Sequence, residues 1–221
     1  MKWFIPRETI HPRDKLLSPA ETLEKLWESS LDEAGFLVLD IETSGFSAQN
    51  DLILSLAYCV CYGDTIEPVK SALIAHPSYD KVPETIWGLI GLSPSVCQQQ
   101  GVPITDALHD LLEDSVSKIW VAHHIRHEMT FLQKAVREIW KQRLRPITID
   151  TAVVAQALFR LPQAPLLEQT CQLLGVTVSN RHRADEDVRM TSAVWQKELQ
   201  LCKRIGLRTV GDLVDWSADG A

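Results

Sequence analysis

The sequence lacks any hydrophobic run of membrane-spanning length, which would need about 20 consecutive apolar residues. Its first residues also lack the apolar centre of a signal peptide, because the short apolar stretch before Pro6 is followed at once by the charged Arg7. These two absences argue against a membrane protein and against a secreted one. We therefore expect a cytoplasmic protein with no membrane contact.

A disulfide or zinc framework is also missing from the cysteine pattern. The chain has 5 cysteines, an odd number, and none of them belongs to a C-x-x-C pair. Scattered thiols in a cytoplasmic protein are usually reduced and buried in the core. We predict that state for all of them: Cys59, Cys61, Cys97, Cys171 and Cys202.

Positive charge is scarce relative to negative charge. The 22 Lys and Arg residues against 29 Asp and Glu residues give a net charge of −7. A protein that coats long nucleic acids needs a broad basic surface, so this composition excludes that class. It still allows an enzyme that holds a few nucleotides at a metal site, because bound cations reverse the local field.

The composition and length are those of one globular domain. Apolar residues make up 45% and charged residues 23% of the 221 positions, without an internal repeat or a low-complexity segment. The predicted organisation is an N-terminal arm with an amphipathic helix (1–34), a main domain (35–205) and a C-terminal tail (206–221). Ser18, Pro19 and Glu21 form a capping box with proline at the first helical position, which predicts the start of the arm's helix.

The apolar periodicity of the main domain predicts three consecutive strands and then alternating helices and strands. The strands are predicted at 36–42, 51–62, 71–75, 118–124 and 147–150. The helices are predicted at 105–114, 128–143, 151–160, 166–175 and 182–206, with short helices within 83–100. This order is typical of an α/β fold in which a mixed sheet, antiparallel in its first three strands and parallel beyond them, is flanked by α-helices.

Two carboxylates end the first predicted strand, in the stretch FLVLDIETSG. Asp40 and Glu42 are two positions apart, so their side chains lie on the same face of the strand. Like charges so close repel each other, and a hard divalent cation bound by oxygen ligands would relieve the repulsion. The alternative is that the acids are solvated loop starts or caps, as is common at strand ends.

A second polar cluster, VAHHIRHEMTFL, follows the strand predicted at 118–124. It contains His123, His124, His127 and Glu128. A helix that begins here could place His123 and His127 on one face, as in a zinc site. The alternative is a polar helix start whose acidic residue favours the positive end of the helix dipole.

The third cluster, HRADEDVRM, combines a histidine with acids at a junction between a loop and a helix. His182 stands five positions before Asp187. A histidine on the loop and a carboxylate in the first helical turn could both reach a common centre. A solvated helix start would explain the acids but not the histidine.

In this order, the three clusters resemble the motifs of the DEDDh family of 3′-5′ exonucleases, which has a ribonuclease H-like fold. The same superfamily includes ribonuclease T and the proofreading exonuclease subunit of bacterial replicative polymerase. The motif D-x-E-T-T-G is matched by Asp40, Glu42, Thr43, Ser44 and Gly45, and H-R-A-x-x-D by His182, Arg183, Ala184 and Asp187. Of A-H-N-x-x-F-D-x-x-F-L, the sequence keeps Ala122, His123, Phe131 and Leu132. The resemblance extends from Phe36 to Leu199.

The departures from the family lie in the second motif. His124 replaces asparagine, His127 replaces phenylalanine, and Glu128 stands in place of an aspartate. Glutamate keeps the charge but extends it by one methylene group. This change bears on the metal geometry rather than on membership of the family.

The resemblance implies a metal-dependent exonuclease that releases nucleoside monophosphates from the 3′ end of single-stranded DNA or RNA. Two Mg²⁺ or Mn²⁺ ions would be held by Asp40, Glu42, Glu128 and Asp187. His182 would act as the general base, since the unperturbed pKa of histidine lies near neutrality. The candidate substrate-binding residues are Thr43, Ser44, Gly45, Phe46 and His123.

Several alternatives stay open at this point. Phe46 could stack on the terminal base or anchor its loop in the core. The altered second motif would also fit a nucleic-acid-binding or polymerase-associated module of the same fold that has lost activity. A polymerase or another replication or repair protein is a possible partner, and the oligomeric state is open. An HD-type metal phosphohydrolase built on His109 and Asp110 would be entirely helical, which the predicted strands oppose.

Overall fold

The structure is a computed structural model that describes residues 20–179 and 181–219. Its elements follow the predicted order, with small shifts at their ends. The strands are β1 (Gly35–Thr43), β2 (Ile53–Tyr62), β3 (Thr65–Ile66), β4 (Lys70–Leu73), β5 (Ile119–Ala122) and β6 (Thr148–Asp150). The helices are α1 (Ala20–Glu28), α2 (Glu84–Ile90), α3 (Pro94–Gln100), α4 (Ile104–Asp114), α5 (Arg126–Trp140), α6 (Thr151–Phe159), α7 (Leu167–Leu174), α8 (Ala184–Arg204) and α9 (Val210–Asp219).

The strands form one mixed sheet of six strands in the order β3-β2-β1-β5-β6, with β4 also paired to β2. Strand β2 runs antiparallel to β1, β3 and β4, whereas β5 is parallel to β1 and β6 is parallel to β5. The predicted α/β fold class, a mixed sheet flanked by helices, is confirmed. Because parallel neighbours end at the same edge of a sheet, the carboxyl ends of β1, β5 and β6 meet there.

Side chains of β1 alternate between two helical layers. Leu37 belongs to a core shared with α4 and α5, while Phe36 belongs to a core shared with α8. The ring of Phe36 packs edge-on against Trp195 of α8, with the ring centroids 4.9 Å apart. Since a strand has a period of two residues, Asp40 and Glu42 lie on the same face as Phe36. The two acids therefore face the layer that contains α8.

The described residues of the predicted arm and tail, 20–34 and 206–219, pack onto the sheet domain, and the division of the chain into arm, main domain and tail stays a prediction. The tail contains α9, which was not predicted, and its Val210 is fully buried in the core that α8 shares with the sheet. Leu31 of the arm is buried in the same core. A β-bridge between Ser30 and Thr209 joins the two segments to each other.

Other predictions concern the thiols, the first helix cap and membranes. All five cysteines are free and buried, as predicted. The capping box at Ser18 and Pro19 lies outside the described residues. Within the described ranges, no helix combines the length and the apolar character that crossing a membrane requires.

Candidate active site

An acidic group lies where β1 ends and α8 begins. Asp40 and Glu42 occupy the last residues of β1, and Asp187 lies in the first turn of α8. One carboxylate oxygen from each of the three lies within 4.8 Å of the other two. Two distant parts of the chain thus build one site, because the face of β1 that carries both acids is the face covered by α8.

Glu128 joins this group from helix α5. It lies in the first turn of α5, shortly after β5 ends, and only 4% of the residue is exposed. Burial raises the pKa of Asp40, and the nearby charge of Glu128 raises it further. The structure therefore brings the four acids of the sequence prediction into one electrostatic unit.

Without a cation, these carboxyl groups hold their protons more tightly than carboxyl groups in water. Burial, followed by the charge of Asp187, raises the pKa of Glu42 to about 7. Burial, with the charge of Glu42 among the smaller causes, raises the pKa of Glu128 to about 8. Burial also raises the pKa of Asp40 and of Asp187. A bound cation would reverse these shifts by stabilising the ionised forms.

The residues present fit a divalent cation. Oε2 of Glu128 and Oδ1 of Asp187 are buried and have no hydrogen-bond partner among the described residues. A buried charged oxygen without a partner costs free energy, and coordination to a cation removes that cost. The donor set consists of carboxylates alone, which favours hard ions such as Mg²⁺ or Mn²⁺.

His182 lies beside this group, on the loop that leads into α8. Its backbone N–H donates to Oδ2 of Asp187 at 3.3 Å. Its φ of 64° lies in the left-handed region, which is uncommon for residues other than glycine and often marks a functional site. The half-buried His182 is thus tied to one of the acids through its own backbone.

His123 is hydrogen-bonded within the protein through its ring, and its role in substrate binding stays a prediction. Its Nε2 donates to the carbonyl oxygen of Pro165 at 2.9 Å, so Nδ1 is left to accept from the hydroxyl of Thr151 at 2.8 Å. Burial is the main cause that lowers the pKa of His123 to about 4. Because both ring nitrogens are engaged, His123 has no nitrogen left for the alternative of a zinc site shared with His127.

The loop after β1 carries an exposed aromatic ring. Phe46 is 95% exposed, which removes the alternative that it anchors the loop in the core. Its ring lies edge-on to that of His127, with the centroids 6.1 Å apart. Nε2 of His127 in turn forms a hydrogen bond with Oγ1 of Thr43 at 3.2 Å. His127, which replaces a phenylalanine of the family motif, therefore joins this loop to α5.

Ser44 and Gly45 shape the loop from within. The hydroxyl of Ser44 donates to Oδ1 of Asp51 at 3.2 Å and accepts from the backbone N–H of Leu52 at 2.9 Å. A Cβ atom on Gly45 would lie 2.5 Å from Oδ2 of Asp51, so the close approach of that carboxylate requires glycine. These two residues therefore help to hold Thr43 and Phe46 in position, and their contact with substrate stays a prediction.

Two charged residues near the acids received no role from the sequence. Asp150 caps α6, and its negative charge raises the pKa of Glu128 beyond the effect of burial. Arg181 forms an ion pair with Asp187. Asp150 could have been noticed because it ends a parallel strand just before a helix, whereas Arg181 carries no comparable signal beyond its place before His182.

A second group of possible ligands lies on α4, and consists of His109, Asp110 and Glu113. Helix α4 packs on the face of the sheet opposite α8. The HD-type alternative built on His109 and Asp110 is excluded by the sheet, because that fold is entirely helical.

The buried acids and the mixed sheet agree with a comparison of the chain with known families. Residues 37–195 match the RNase_T family of exonucleases, and the chain belongs to this family. The matched range includes all four acids and His182. The resemblance inferred from the three motifs is confirmed.

The relatives found by sequence are much longer proteins, and the chain matches only a part of each. The chain is 25% identical over 186 residues to the DNA polymerase III PolC-type of Thermotoga maritima, and 24% identical over 182 residues to the 3′-5′ exonuclease DinG of Staphylococcus aureus strain MRSA252. These alignments take in 84% and 81% of this chain, but only 13% and 20% of the two relatives. The chain thus spans less than a quarter of either relative.

Two solved structures show the same fold. E. coli Exonuclease I in complex with a dT13 oligonucleotide is 16% identical and aligns with a TM-score of 0.66, over 78% of this chain and 42% of that one. The nuclease domain of 3′hExo, a DEDDh family member bound to rAMP, is 11% identical and aligns with a TM-score of 0.65, over 76% of this chain and 92% of that one. The ribonuclease H-like fold predicted from the motifs is confirmed.

Proposed function

We propose that the protein is a metal-dependent 3′-5′ exonuclease that removes nucleoside monophosphates from the 3′ end of single-stranded nucleic acid. The observation that carries the proposal is the convergence of Asp40, Glu42, Glu128 and Asp187 at one edge of the sheet, with two buried oxygens left unpaired within the described part of the chain. The polarity is supported by the name of the relative DinG, a 3′-5′ exonuclease.

The chemistry divides between the cations and the side chains. Two bound divalent cations would neutralise charge on the scissile phosphate and make the attacking water more acidic. Asp40, Glu42 and Asp187 would hold the cations from β1 and α8, and Glu128 would complete the set of ligands from α5. His182 accepts the proton that the attacking water gives up, and its half-buried position lets that proton pass on to solvent.

The terminal nucleotide is received by the loop after β1. Phe46 offers an exposed ring on the loop that follows Glu42, and its contact with His127 limits its movement. Stacking on an aromatic ring tolerates any base, which suits an enzyme that shortens strands of varied sequence. We infer single-stranded DNA or RNA as the substrate class, since the two similar solved structures contain dT13 and rAMP.

A replication or repair partner remains a prediction, as does the cytoplasmic location. The similarity to a PolC-type polymerase III supports a role beside a polymerase. Co-purification of the tagged full chain with the polymerase of its own source would test it.

The test of the activity uses 5′-labelled single-stranded DNA and RNA with and without Mn²⁺ or Mg²⁺. We expect the label to move stepwise to shorter products, and we expect chelator or a blocked 3′ end to stop the shortening. Asp40→Asn is the matched control, since it keeps the shape of the side chain and removes its charge. Internal cleavage of the 3′-blocked strand at the same rate would contradict exonuclease action. Binding without any shortening would support the inactive module instead.

A further inference from the structure

Arg181 joins one of the acids to a neighbouring helix. Its Nε donates to Oε1 of Glu168 at 2.6 Å, and its Nη1 forms an ion pair with Oδ2 of Asp187. Glu168 lies in the first turn of α7, and Asp187 lies in the first turn of α8. The side chains of Arg181 and Asp187 are only 22% and 5% exposed, so the pair is largely shielded from water.

The two oxygens of Asp187 have different surroundings. Oδ2 meets Arg181 and also accepts the backbone N–H of His182 at 3.3 Å. Oδ1 is buried and has no hydrogen-bond partner in the part of the chain that the structure describes. One oxygen is therefore fixed by the protein, and the other stays available as a ligand.

We propose that Arg181 is a positioning residue of the metal centre. It holds Asp187 by one oxygen so that the other can bind a cation, and Glu168 holds Arg181 in turn. Partners of this kind commonly orient metal ligands, and their loss typically weakens metal binding by about 10–100-fold. The inference rests on the proposed function, because it assigns a task to Arg181 within the same metal site.

The charge and the geometry of Arg181 act in opposite directions on a cation. A guanidinium repels a nearby cation, so its removal would strengthen metal binding if charge alone mattered. Here the guanidinium faces two carboxylates, which largely compensate its charge. Loss of orientation then has the larger effect, and removal of Arg181 should weaken binding. The sign of the change distinguishes the two effects.

The experiment is titration calorimetry with Mn²⁺ on the full chain and its variants. We expect Arg181→Gln to weaken binding by about 10–100-fold. Arg181→Lys keeps the positive charge but lacks the planar guanidinium that contacts both carboxylates, so it should recover only part of the affinity. Glu168→Ala removes the oxygen that accepts from Nε of Arg181 and should give an intermediate loss. Arg183→Gln is the matched control, because Arg183 is 53% exposed and its ion pair joins it to Asp185 rather than to a metal ligand.

Each outcome decides between named alternatives. Unchanged or tighter Mn²⁺ binding by a folded Arg181→Gln overturns the proposal and leaves Arg181 as a mere counter-charge. If Arg181→Gln does not fold, Glu168→Ala decides, and wild-type affinity in that variant overturns the proposal equally. If the wild-type chain itself binds no Mn²⁺, the proposed function fails, and the role of Arg181 fails with it. Circular dichroism and thermal unfolding establish that the variants are folded.

Discussion

Oδ1 of Asp150 accepts a hydrogen bond from the backbone N–H of His124, with 2.9 Å between the two atoms. The same oxygen also accepts the N–H of Ala152 at 3.0 Å. One carboxylate thus holds both the start of α6 and the turn that leads from β5 into α5. His124 has a φ of 62°, in the left-handed region, and this hydrogen bond helps to keep it there. The position of this turn determines where Glu128 enters the acidic group.

Asp150→Ala and Asp150→Asn should therefore behave differently. Alanine removes a helix cap and the anchor of His124, so we expect the free energy of unfolding to fall by about 1–2 kcal/mol and Mn²⁺ binding to weaken. Asparagine keeps the accepting oxygen and removes one of the charges that raise the pKa of Glu128, so we expect Mn²⁺ binding close to that of the wild type. Chemical denaturation and calorimetry measure the two effects. Equal losses in both variants would show that the charge matters rather than the hydrogen bonds.

His182→Ala should lower the rate of the chemical step and leave metal binding nearly unchanged. Loss of a general base typically costs about 10²–10⁴ in rate. Single-turnover rates, beside Mn²⁺ titration, separate the two properties. His124→Asn is the matched histidine control, since His124 is exposed and asparagine tolerates its backbone conformation. A normal single-turnover rate in His182→Ala would remove His182 from the mechanism.

Glu128→Ala should weaken metal binding, and higher metal concentration should recover part of the rate. The reason is that the change removes a negative charge from the cation site and leaves the general base in place. Glu128→Asp, which restores the residue of the family motif, should not improve the enzyme if the longer side chain fits this site. Full activity of Glu128→Ala at low metal concentration would exclude Glu128 as a ligand.

The affinity for Mn²⁺ should also rise with pH in the wild type. Burial raises the pKa of Glu42 to about 7 and that of Glu128 to about 8, and a cation binds the ionised carboxylates. The affinity should therefore increase through the range from about pH 7 to about pH 8, with protons released on binding. In Glu128→Ala the part of this increase that belongs to Glu128 should be lost. Calorimetry in buffers of different ionisation enthalpy counts the protons released.

Phe46→Ala should raise the substrate concentration needed for half-maximal rate. Stacking of a base is worth on the order of 1–3 kcal/mol, which corresponds to roughly a 5–150-fold change. The fold should be unaffected, because the ring of Phe46 is exposed. Tyr62→Ala is the matched aromatic control, since Tyr62 is partly exposed and pairs with Gly35 at the opposite end of β1. An unchanged half-saturating concentration in Phe46→Ala would leave no stacking role for this ring.

Glu198→Gln should stabilise the protein at alkaline pH. Glu198 on α8 is fully buried, and neither of its carboxylate oxygens has a hydrogen-bond partner within residues 20–179 and 181–219. Burial, with a smaller contribution from the charge of Asp150, raises its pKa well above the usual range for glutamate. As the pH rises above that usual range, the unfolded chain loses this proton while the folded chain keeps it, so the stability falls.

The glutamine variant lacks this pH-dependent loss. We expect its free energy of unfolding to exceed that of the wild type by about 1 kcal/mol or more at pH 8, and the difference to vanish near pH 4. Urea denaturation at both pH values measures the change. Glu138→Gln, at a surface position on α5, should change the stability little at either pH. A difference in stability between Glu198→Gln and the wild type that is the same at pH 4 and pH 8 would argue against a buried, protonated Glu198.

The fold was largely predictable because its main elements have strong local patterns. The strand period alone placed Asp40 and Glu42 on one face, and this face is the one that α8 covers. Helix α9 was missed because it is only 10 residues long, and Val210 becomes a core residue only when the helix packs against the rest of the chain. Strand β3 was missed because two residues carry no measurable period.

The sequence by itself determined the family and the four acids of the candidate site, since three motifs in a fixed order can be recognised without any contact being known. The tertiary structure decided what the neighbouring polar groups do. The hydrogen-bond partners of His123 lie 28 and 42 residues away, and His127 meets Thr43 across 84 residues. Arg181 meets Glu168 across 13 residues. A buried polar side chain needs a hydrogen-bond partner. Which partner it contacts depends on how the strands and helices pack, and this packing cannot be predicted from a short stretch of sequence.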